Sequence, residues 1–342
     1  MSRQTNQKRT IPLLKAPFLV LRKVVGQMEI DEIIELSLTS KRMARVLGQT
    51  QTMVGVPPPQ MTVEIKDSDS HVLITDGKGP NELLVFTWYI GKNYFGKLLT
   101  TNIEGIKNTT RNQRTKAMNL EYCTRAVGKA VNSPMKTILE RLLIVFPKMI
   151  THSVKFDTSF TFFNAKKALS AIKTVEHLEI NGEMMTGNVR DMLENITVTK
   201  RLEMYCKVSI VRGPFDVASL PSEHIVCNYT TWMSTETFQQ LKCQHTRIWK
   251  TKLTVKDVEE FLLKWKNSTE ENHIKSLMMS TVDSETKLDY NLLGAEESDP
   301  SKKIHNEGGS ASRIPFDNSI KRADGLVGLV RQNGETIHFR VD

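Results

Sequence analysis

The chain has little cysteine and no long apolar run. Only four of its 342 residues are cysteine, and no two form a CxxC pair, which argues against a disulfide framework or a cysteine-rich zinc module. The longest apolar stretches fall short of the 18 or so residues of a membrane span, and MSRQTNQKRT at residues 1–10 lacks the apolar core of a secretory signal. We therefore expect an intracellular protein, cytoplasmic or nuclear, that does not enter a membrane and whose cysteines are inert thiols.

The sequence also lacks a recognisable catalytic or metal-binding pattern. An enzyme that carries a transferred group on a cysteine needs a reactive, partly exposed thiol beside a base or orienting group, and the sequence shows no such site. His224 with Cys227, and Cys243 with His245, are incomplete metal pairs, which leaves only a zinc site split between distant segments as an alternative. DGKGP at residues 76–80 lacks the Gly-Lys-Ser/Thr of a phosphate loop and predicts a turn. We expect no catalytic residue, no metal and no cofactor.

The composition is that of an ordinary globular protein with a basic bias. Hydrophobic residues make up 39% and charged residues 25% of the chain, which fits one or two domains. The net charge of +9 would favour binding to nucleic acid. Residues 107–116 form the densest basic segment. Because aromatic residues do not alternate with these cations, as they would on a base-stacking surface, we expect a solvated loop or helix face there. Nucleic-acid binding is the weaker alternative.

Residues 11–50 contain three short helical patterns. The first helix, predicted at residues 18–28 after Pro17, has apolar residues at helical spacing, namely Phe18, Leu21, Val25 and Met28. The second begins with Asp31 and Glu32, acids that suit a helix N-terminus, and Thr39 or Ser40 can cap the third. Because chains under about 40 residues rarely fold alone, the apolar surface of these helices implies a partner.

This order of features resembles the F-box of nematode F-box proteins. The shared features are the proline, the apolar first helix, Met28 before an acidic second helix, and LSLTSKR at residues 36–42. The resemblance implies that the helices bind a Skp-type adaptor, which connects an F-box protein to a cullin-RING ubiquitin ligase. It assigns adaptor binding to seven residues: Pro17, Phe18, Leu21, Val25, Ile33, Ile34 and Leu38. The alternative is that several of them pack inside the chain.

A domain boundary is predicted at residues 51–60. Three successive prolines at residues 57–59 indicate a stiff, extended connector, although a ligand for an aromatic groove is a weaker alternative. Beyond it, residues 61–66 and 71–75 alternate apolar and polar side chains, and residues 83–90 form an apolar run. These three segments predict antiparallel strands.

A short apolar segment recurs about every 24 residues between residues 150 and 280. The segments are centred on Val154, Leu178, Leu202, Ile225, Ile248 and Leu277, a spacing within the range of leucine-rich-type repeats. Between them, residues 165–172, 189–196 and 258–265 each carry one apolar helical face. The fold prediction is therefore α+β or α/β: a three-helix F-box, then an irregular leucine-rich-like strand and helix repeat domain over residues 61–342, with a partly parallel sheet and flanking β-hairpins.

The second half of the chain strengthens the resemblance. Phe261, Leu262 and Trp265 form a Phe-Leu-x-x-Trp helix, and with the following SLMMS and with IKRADG at residues 320–325 they are similar to the F-box-associated (type 2) domain of the nematode family. Residues 314–342 predict hairpins with turns at Asp324 and Gly325 and at Asn333 and Gly334. Residues 292–313, poor in apolar side chains, predict a mobile loop.

The resemblance implies a non-catalytic, substrate-recognition subunit of a Skp-cullin-F-box ubiquitin ligase. Its repeat domain would bind a protein substrate that the sequence does not identify, on the exposed side of the sheet. Arg247 and Trp249 are candidate substrate contacts, because Ile248 between them should point the other way. Trp232 and Trp265 fit the core instead. A scaffold that joins partners without ubiquitination is a further alternative.

Overall fold

The chain has a mixed α/β architecture that divides into two compact units. The computed structural model describes residues 13–51, 58–66, 69–78, 84–91, 99–103, 106–110, 120–125, 131–158, 164–209, 221–270, 273–283, 285–298 and 316–342. The N-terminal unit comprises Met1–Thr62 and Ser68–Ile150, and the C-terminal unit comprises Val63–Asp67 and Thr151–Asp342. The predicted connector therefore does not coincide with the division, and its residues 52–57 lie outside the described residues.

The N-terminal unit begins with three short helices. After a 3-10 turn at Leu13–Lys15 come α1 (Phe18–Val25), α2 (Ile30–Ser37) and α3 (Lys41–Gln51). At the start of α2, the backbone N–H of Glu29 donates to Oε2 of Glu32 over 3.0 Å, and at the start of α3 the N–H of Met43 donates to Oγ of Ser40 over 3.0 Å. Both bonds satisfy donors that a helix start leaves open. The first helix is shorter than predicted because it ends before Gly26.

These helices share a core with a later helix, α4 (Asn132–Val145), which packs on α2 and α3. Gly48 allows a close approach of α3 to α4, since a Cβ at this position would lie 2.0 Å from the carbonyl oxygen of Ile144. The buried guanidinium of Arg141 donates from Nη1 to the carbonyl oxygen of Ser40 over 3.1 Å. The apolar surface that implied an outside partner is therefore partly covered within the chain.

Six strands accompany the helices in the described part of this unit. They are β1 (Gln60–Lys66), whose last residues belong to the C-terminal unit, β2 (Asp69–Thr75), β3 (Leu84–Gly91), β4 (Leu99–Ile103), β5 (Ile106–Thr110) and β6 (Leu120–Arg125). Strand β3 pairs antiparallel with β2 and parallel with β6, and β5 pairs antiparallel with β4 and β6. The described part of the basic segment, residues 107–110, lies in β5, so the predicted loop or helix face is wrong there. Residues 111–116 lie outside the described residues.

The C-terminal unit is built on a parallel sheet in which consecutive strands lie side by side. The strands of this sheet, in spatial order, are β7 (Ile150–Thr158), β8 (Thr174–Met185), β9 (Thr197–Met204), β11 (His224–Cys227), β12 (His245–Ile248) and β13 (Ser276–Ser280). A short strand, β10 (Lys207–Ser209), pairs parallel with the end of β8. All six predicted apolar centres lie on these strands. In β12, however, Thr246 occupies the position in register with Ile225 and Leu277, and Ile248 lies two residues further on.

Helices connect the strands and bury one face each. They are α5 (Ala165–Ala168), α6 (Thr186–Asn195), α7 (Thr235–Gln239) and α8 (Val255–Asn267). Helix α8 begins with a capping box, in which the N–H of Asp257 donates to Oγ1 of Thr254 over 3.3 Å and the N–H of Thr254 donates to Oδ2 of Asp257 over 2.6 Å. Helix α5 is only four residues long, although its predicted apolar face spans residues 165–172.

The last strands cover the edge of the parallel sheet. Strand β13 pairs antiparallel with β17 (Thr336–Val341), followed by β16 (Val327–Asn333), β15 (Asn318–Lys321) and β14 (Glu296–Glu297). Gly325 (φ 95) and Gly334 (φ 57) have the left-handed conformation that tight turns require, as predicted for the terminal hairpins. Residues 292–298 hold the end of α9 (Tyr290–Leu293) and β14, so this part of the predicted mobile loop is wrong, and residues 299–313 lie outside the described residues.

Candidate functional site

The parallel strands expose one broad face of the sheet. Val154, Leu178, Leu202, Ile225 and Leu277 are buried on the inner face, so their sequence neighbours lie on the outer face. Two rows of residues cross the strands there in register. The first row is Ser153, which is buried, then His177, Arg201, His224, His245, Ser276 and Arg340. The second row is Lys155, Glu179, Glu203, Val226, Arg247, Met278 and His338.

Arg247 and Trp249 lie where the sequence placed them. Arg247 is exposed, Trp249 is half-buried and Ile248 between them is buried. In the second row, Arg247 stands between Val226 and Met278. An arginine beside aromatic and aliphatic side chains is the composition found at the centres of protein interfaces. Trp232 and Trp265 are buried, as expected.

The outer face carries charges of both signs in adjacent positions. Nζ of Lys155 lies 3.9 Å from Oε2 of Glu179, and Arg201 forms an ion pair with Glu203 on the same strand. Exposed pairs of this kind contribute little stability. They do give the surface a defined charge pattern, which selects partners more than it adds affinity.

A cluster of titratable side chains occupies the start of β7, β8 and β9. We call His152, Glu176, His177 and Lys200 the histidine cluster. Nδ1 of His152 lies 2.9 Å from Oε2 of Glu176, whose Oε1 lies 2.8 Å from Nζ of Lys200. The rings of His152 and His177 meet edge to face with their centroids 4.8 Å apart.

The environment of the cluster shifts three of its pKa values. Partial burial raises the pKa of Glu176, but hydrogen bonds from Lys200 and His152 outweigh it, so the pKa lies below its ordinary value. The bond to Glu176 raises the pKa of Lys200. Burial, followed by the charge of His152, lowers the pKa of His177. These shifts favour an ionised carboxylate beside a neutral imidazole.

The histidine cluster was not predicted from the sequence, although the spacing of the apolar segments contains a signal for it. His152 and Glu176 are 24 residues apart, and Lys200 follows at the same interval. Residues at equal positions in successive repeats must lie side by side in a parallel sheet. Reading the polar positions with the apolar period would have brought these three side chains together.

The predicted adaptor-binding residues fall into two groups. Leu21, Val25, Ile33 and Ile34 are buried and Leu38 is half-buried, so the four buried residues are not available as a surface in this conformation. Their burial follows from the packing of α1 and α2 on α3 and α4. Pro17 and Phe18 are exposed.

Helix α1 instead exposes an apolar surface of which only Phe18 was predicted from the sequence. Phe18, Leu19, Val20 and Val24 are 42%, 75%, 50% and 38% exposed. We call these four residues the α1 patch. Four large apolar side chains on one eight-residue helix are more than the scattered exposed apolar residues of an ordinary surface, and contiguous exposed apolar residues mark interaction sites.

Three cysteines are buried in the C-terminal unit. Burial raises the pKa of Cys206 and of Cys243 to about 11, and it raises the pKa of Cys227 further. A thiol in such surroundings is protonated and unreactive at neutral pH, in line with the inert role expected from the sequence. The side chain of Cys123 lies outside the described residues.

The comparisons with known proteins found no match. No family model matches the sequence, and neither a curated protein nor a solved structure matches it. Among the described helices, none is both long and apolar enough to cross a membrane.

Proposed function

We propose that this chain is a substrate-recognition subunit of a Skp-cullin-F-box ubiquitin ligase. Its first three helices would bind a Skp-type adaptor, and the outer face of its parallel sheet would bind the protein to be modified. The α1 patch is the observation that carries the proposal. It places four unburied apolar side chains, Phe18, Leu19, Val20 and Val24, on the segment that resembles an F-box.

Because four of the predicted adaptor-contact residues are buried, we assign a different set of side chains to the adaptor surface. Pro17 and Phe18 stay in the adaptor surface, and Leu19, Val20 and Val24 join it. Leu21, Val25, Ile33 and Ile34 act indirectly, because they hold α1 and α2 against the rest of the N-terminal unit.

The outer face supports a protein target better than a nucleic acid. Lys155 and Arg201 each stand beside a carboxylate, Glu179 and Glu203 respectively, and a phosphate backbone would meet both carboxylates. Arg247 stands between Val226 and Met278, and the half-buried Trp249 follows two residues later. This is a mixed apolar and cationic surface of the kind that proteins bind.

The proposed mechanism is proximity. A receptor that holds adaptor and target together raises the effective concentration of a target lysine beside a ubiquitin-charged enzyme. The chain itself needs no nucleophile for this role, and the three buried cysteines of its C-terminal unit offer none.

Binding of the full chain to a purified Skp-type adaptor, followed by size exclusion and calorimetry, tests the proposal. Removing residues 1–50 is not a clean test, because these helices share a core with α4. Leu19→Glu is cleaner, since Leu19 is 75% exposed. Its matched control is Val282→Glu, an exposed apolar residue of the C-terminal unit.

We expect a one-to-one complex that Leu19→Glu weakens at least 10-fold and Val282→Glu leaves unchanged. Failure of the folded parent chain to bind the adaptor, or equal binding by both variants, would contradict the proposal. Adaptor binding without ubiquitination of any bound protein would support a scaffold instead.

A further inference from the structure

We propose that His152, Glu176 and His177 form a binding site for one Zn²⁺ ion at the start of β7 and β8. Their ligand atoms all lie within 4.8 Å of one another. Within the described part of the chain, this is the one group of three histidine, cysteine or acidic side chains that comes so close. The site is independent of the α1 patch and of adaptor binding.

A local irregularity in the sheet exposes two consecutive donors of β8. Successive residues of a regular strand point to opposite faces, yet Glu176 and His177 are both half-exposed while Val175 and Leu178 on either side are buried. The register between β8 and β9 shifts between Val175 and His177. Such a shift re-aims a side chain. Glu176 and His177 both lie beside His152 of the neighbouring strand β7.

The distances suit a small transition-metal ion. Zinc binds imidazole nitrogen and carboxylate oxygen at about 2.0–2.2 Å in tetrahedral geometry, so its ligand atoms lie about 3.3 Å apart. Nδ1 of His152 and Oε2 of Glu176 are 2.9 Å apart, and the remaining separations do not exceed 4.8 Å. Small rotations of half-exposed side chains would bring all three donors onto one ion.

The donor set also selects the class of metal. Two imidazoles and one carboxylate favour zinc and its neighbours over Mg²⁺ and Ca²⁺, which prefer oxygen ligands. Three protein ligands leave a fourth position open for water or for a side chain of a bound protein. Because His177 belongs to the first row of the outer face, which is proposed to recognise a protein, that open position would let the ion contact the target.

Some groups around the cluster favour the binding of a cation, and others oppose it. Nζ of Lys200 holds Oε1 of Glu176 at 2.8 Å and leaves Oε2 directed at His152, as partners of metal ligands commonly do. The positive charges of Lys200 and of Arg201, next to His177 in the first row, oppose a second cation. Glu223 lowers that repulsion through its interaction with Lys200.

The outer face of the sheet supplies a matched control for the proposed site. The rings of His224 and His245 also lie 4.8 Å apart, stacked, in the same row, and Nδ1 of His245 lies 2.9 Å from Oγ of Ser276. This pair is outside the group of three close donors. His224→Gln therefore removes an exposed-face histidine without touching the proposed site.

Titration of the full chain with Zn²⁺, after treatment with a chelator and in competition with a chromophoric chelator, tests the site. We expect one tightly held ion per chain, no effect of excess Mg²⁺, and at least 10-fold weaker binding in both His177→Gln and His152→Gln. His224→Gln should bind as the parent does, and circular dichroism should be the same for all four proteins.

Two results would overturn the proposal. One is the absence of stoichiometric binding by the parent chain, which would leave the cluster as a surface ion-pair ladder only. The other is equal loss of affinity in His177→Gln and His224→Gln, which would indicate scattered, adventitious coordination. Adaptor binding is expected to be unchanged by His177→Gln, so failure of this proposal is distinct from failure of the receptor proposal.

Discussion

Replacing Gly48 with alanine should destabilise the N-terminal unit, although alanine is the better helix former. Helix propensity alone favours the change by about 1 kcal/mol. The new Cβ, however, would lie 2.0 Å from the carbonyl oxygen of Ile144, and α3 and α4 would have to separate by about 1 Å to reach an ordinary packing contact. Over-packing costs about 1–3 kcal/mol. Because a backbone atom has no rotamer to change, we take the upper end and expect a net loss of about 2 kcal/mol.

Gly187→Ala is the matched control for this prediction. Gly187 lies in α6, and nothing comes within 4 Å of a Cβ there, so the propensity gain of up to about 1 kcal/mol should remain. Native-state hydrogen exchange is the appropriate assay, because two units need not unfold together. In Gly48→Ala, the amides of α3 and α4 should exchange about 30-fold faster, while those of β8 and β9 stay unchanged. Unchanged or slower exchange in α3 would refute the close-contact argument.

Three further predictions concern the C-terminal unit. Thr254→Ala removes the cap of α8 and should lower its stability by about 1 kcal/mol in urea titration, whereas Thr254→Ser should retain most of it; equal loss in both would speak against the capping box. With Cys123 replaced by serine, the folded chain should not react with DTNB at neutral pH, and reaction before denaturant is added would show that the buried thiols are accessible. Burial and the charge of Arg331 lower the pKa of His338, so the unfolded chain takes up a proton near pH 6.5 that the folded chain resists, and stability should fall as pH decreases below about 6.5. His338→Gln should lose less stability than the parent between about pH 7.5 and 5.5, and parallel curves would exclude this contribution.

The apolar period was sufficient to locate the parallel strands. Val154, Leu178 and Leu202 face the core in register. Apolar residues that recur at a constant interval are buried by packing against the equivalent residues of the adjacent strands. The alternation within each strand then placed Arg247 and Trp249 outside. Short-range rules also found the glycine turns of the terminal hairpins.

Long-range packing and backbone irregularity account for what the sequence did not reveal. The contact between Arg141 and Ser40 joins residues 101 positions apart, and nothing in either segment indicates the other. For that reason α4 was not expected to pack on α2 and α3. The exposure of both Glu176 and His177 depends on a register shift, which strict alternation cannot predict.

The order in which the strands are made has a consequence for synthesis of the protein. Strand β13 ends at Ser280, and its antiparallel partner β17 begins at Thr336, roughly 60 residues later. At about 5–20 residues per second of translation, the edge of β13 stays unpaired for about 3–12 s after it is made. An open strand edge is a template for pairing with other chains. A nonsense mutation that removes β16 and β17 would make that exposure permanent, so the expected phenotype is aggregation and degradation of the truncated product.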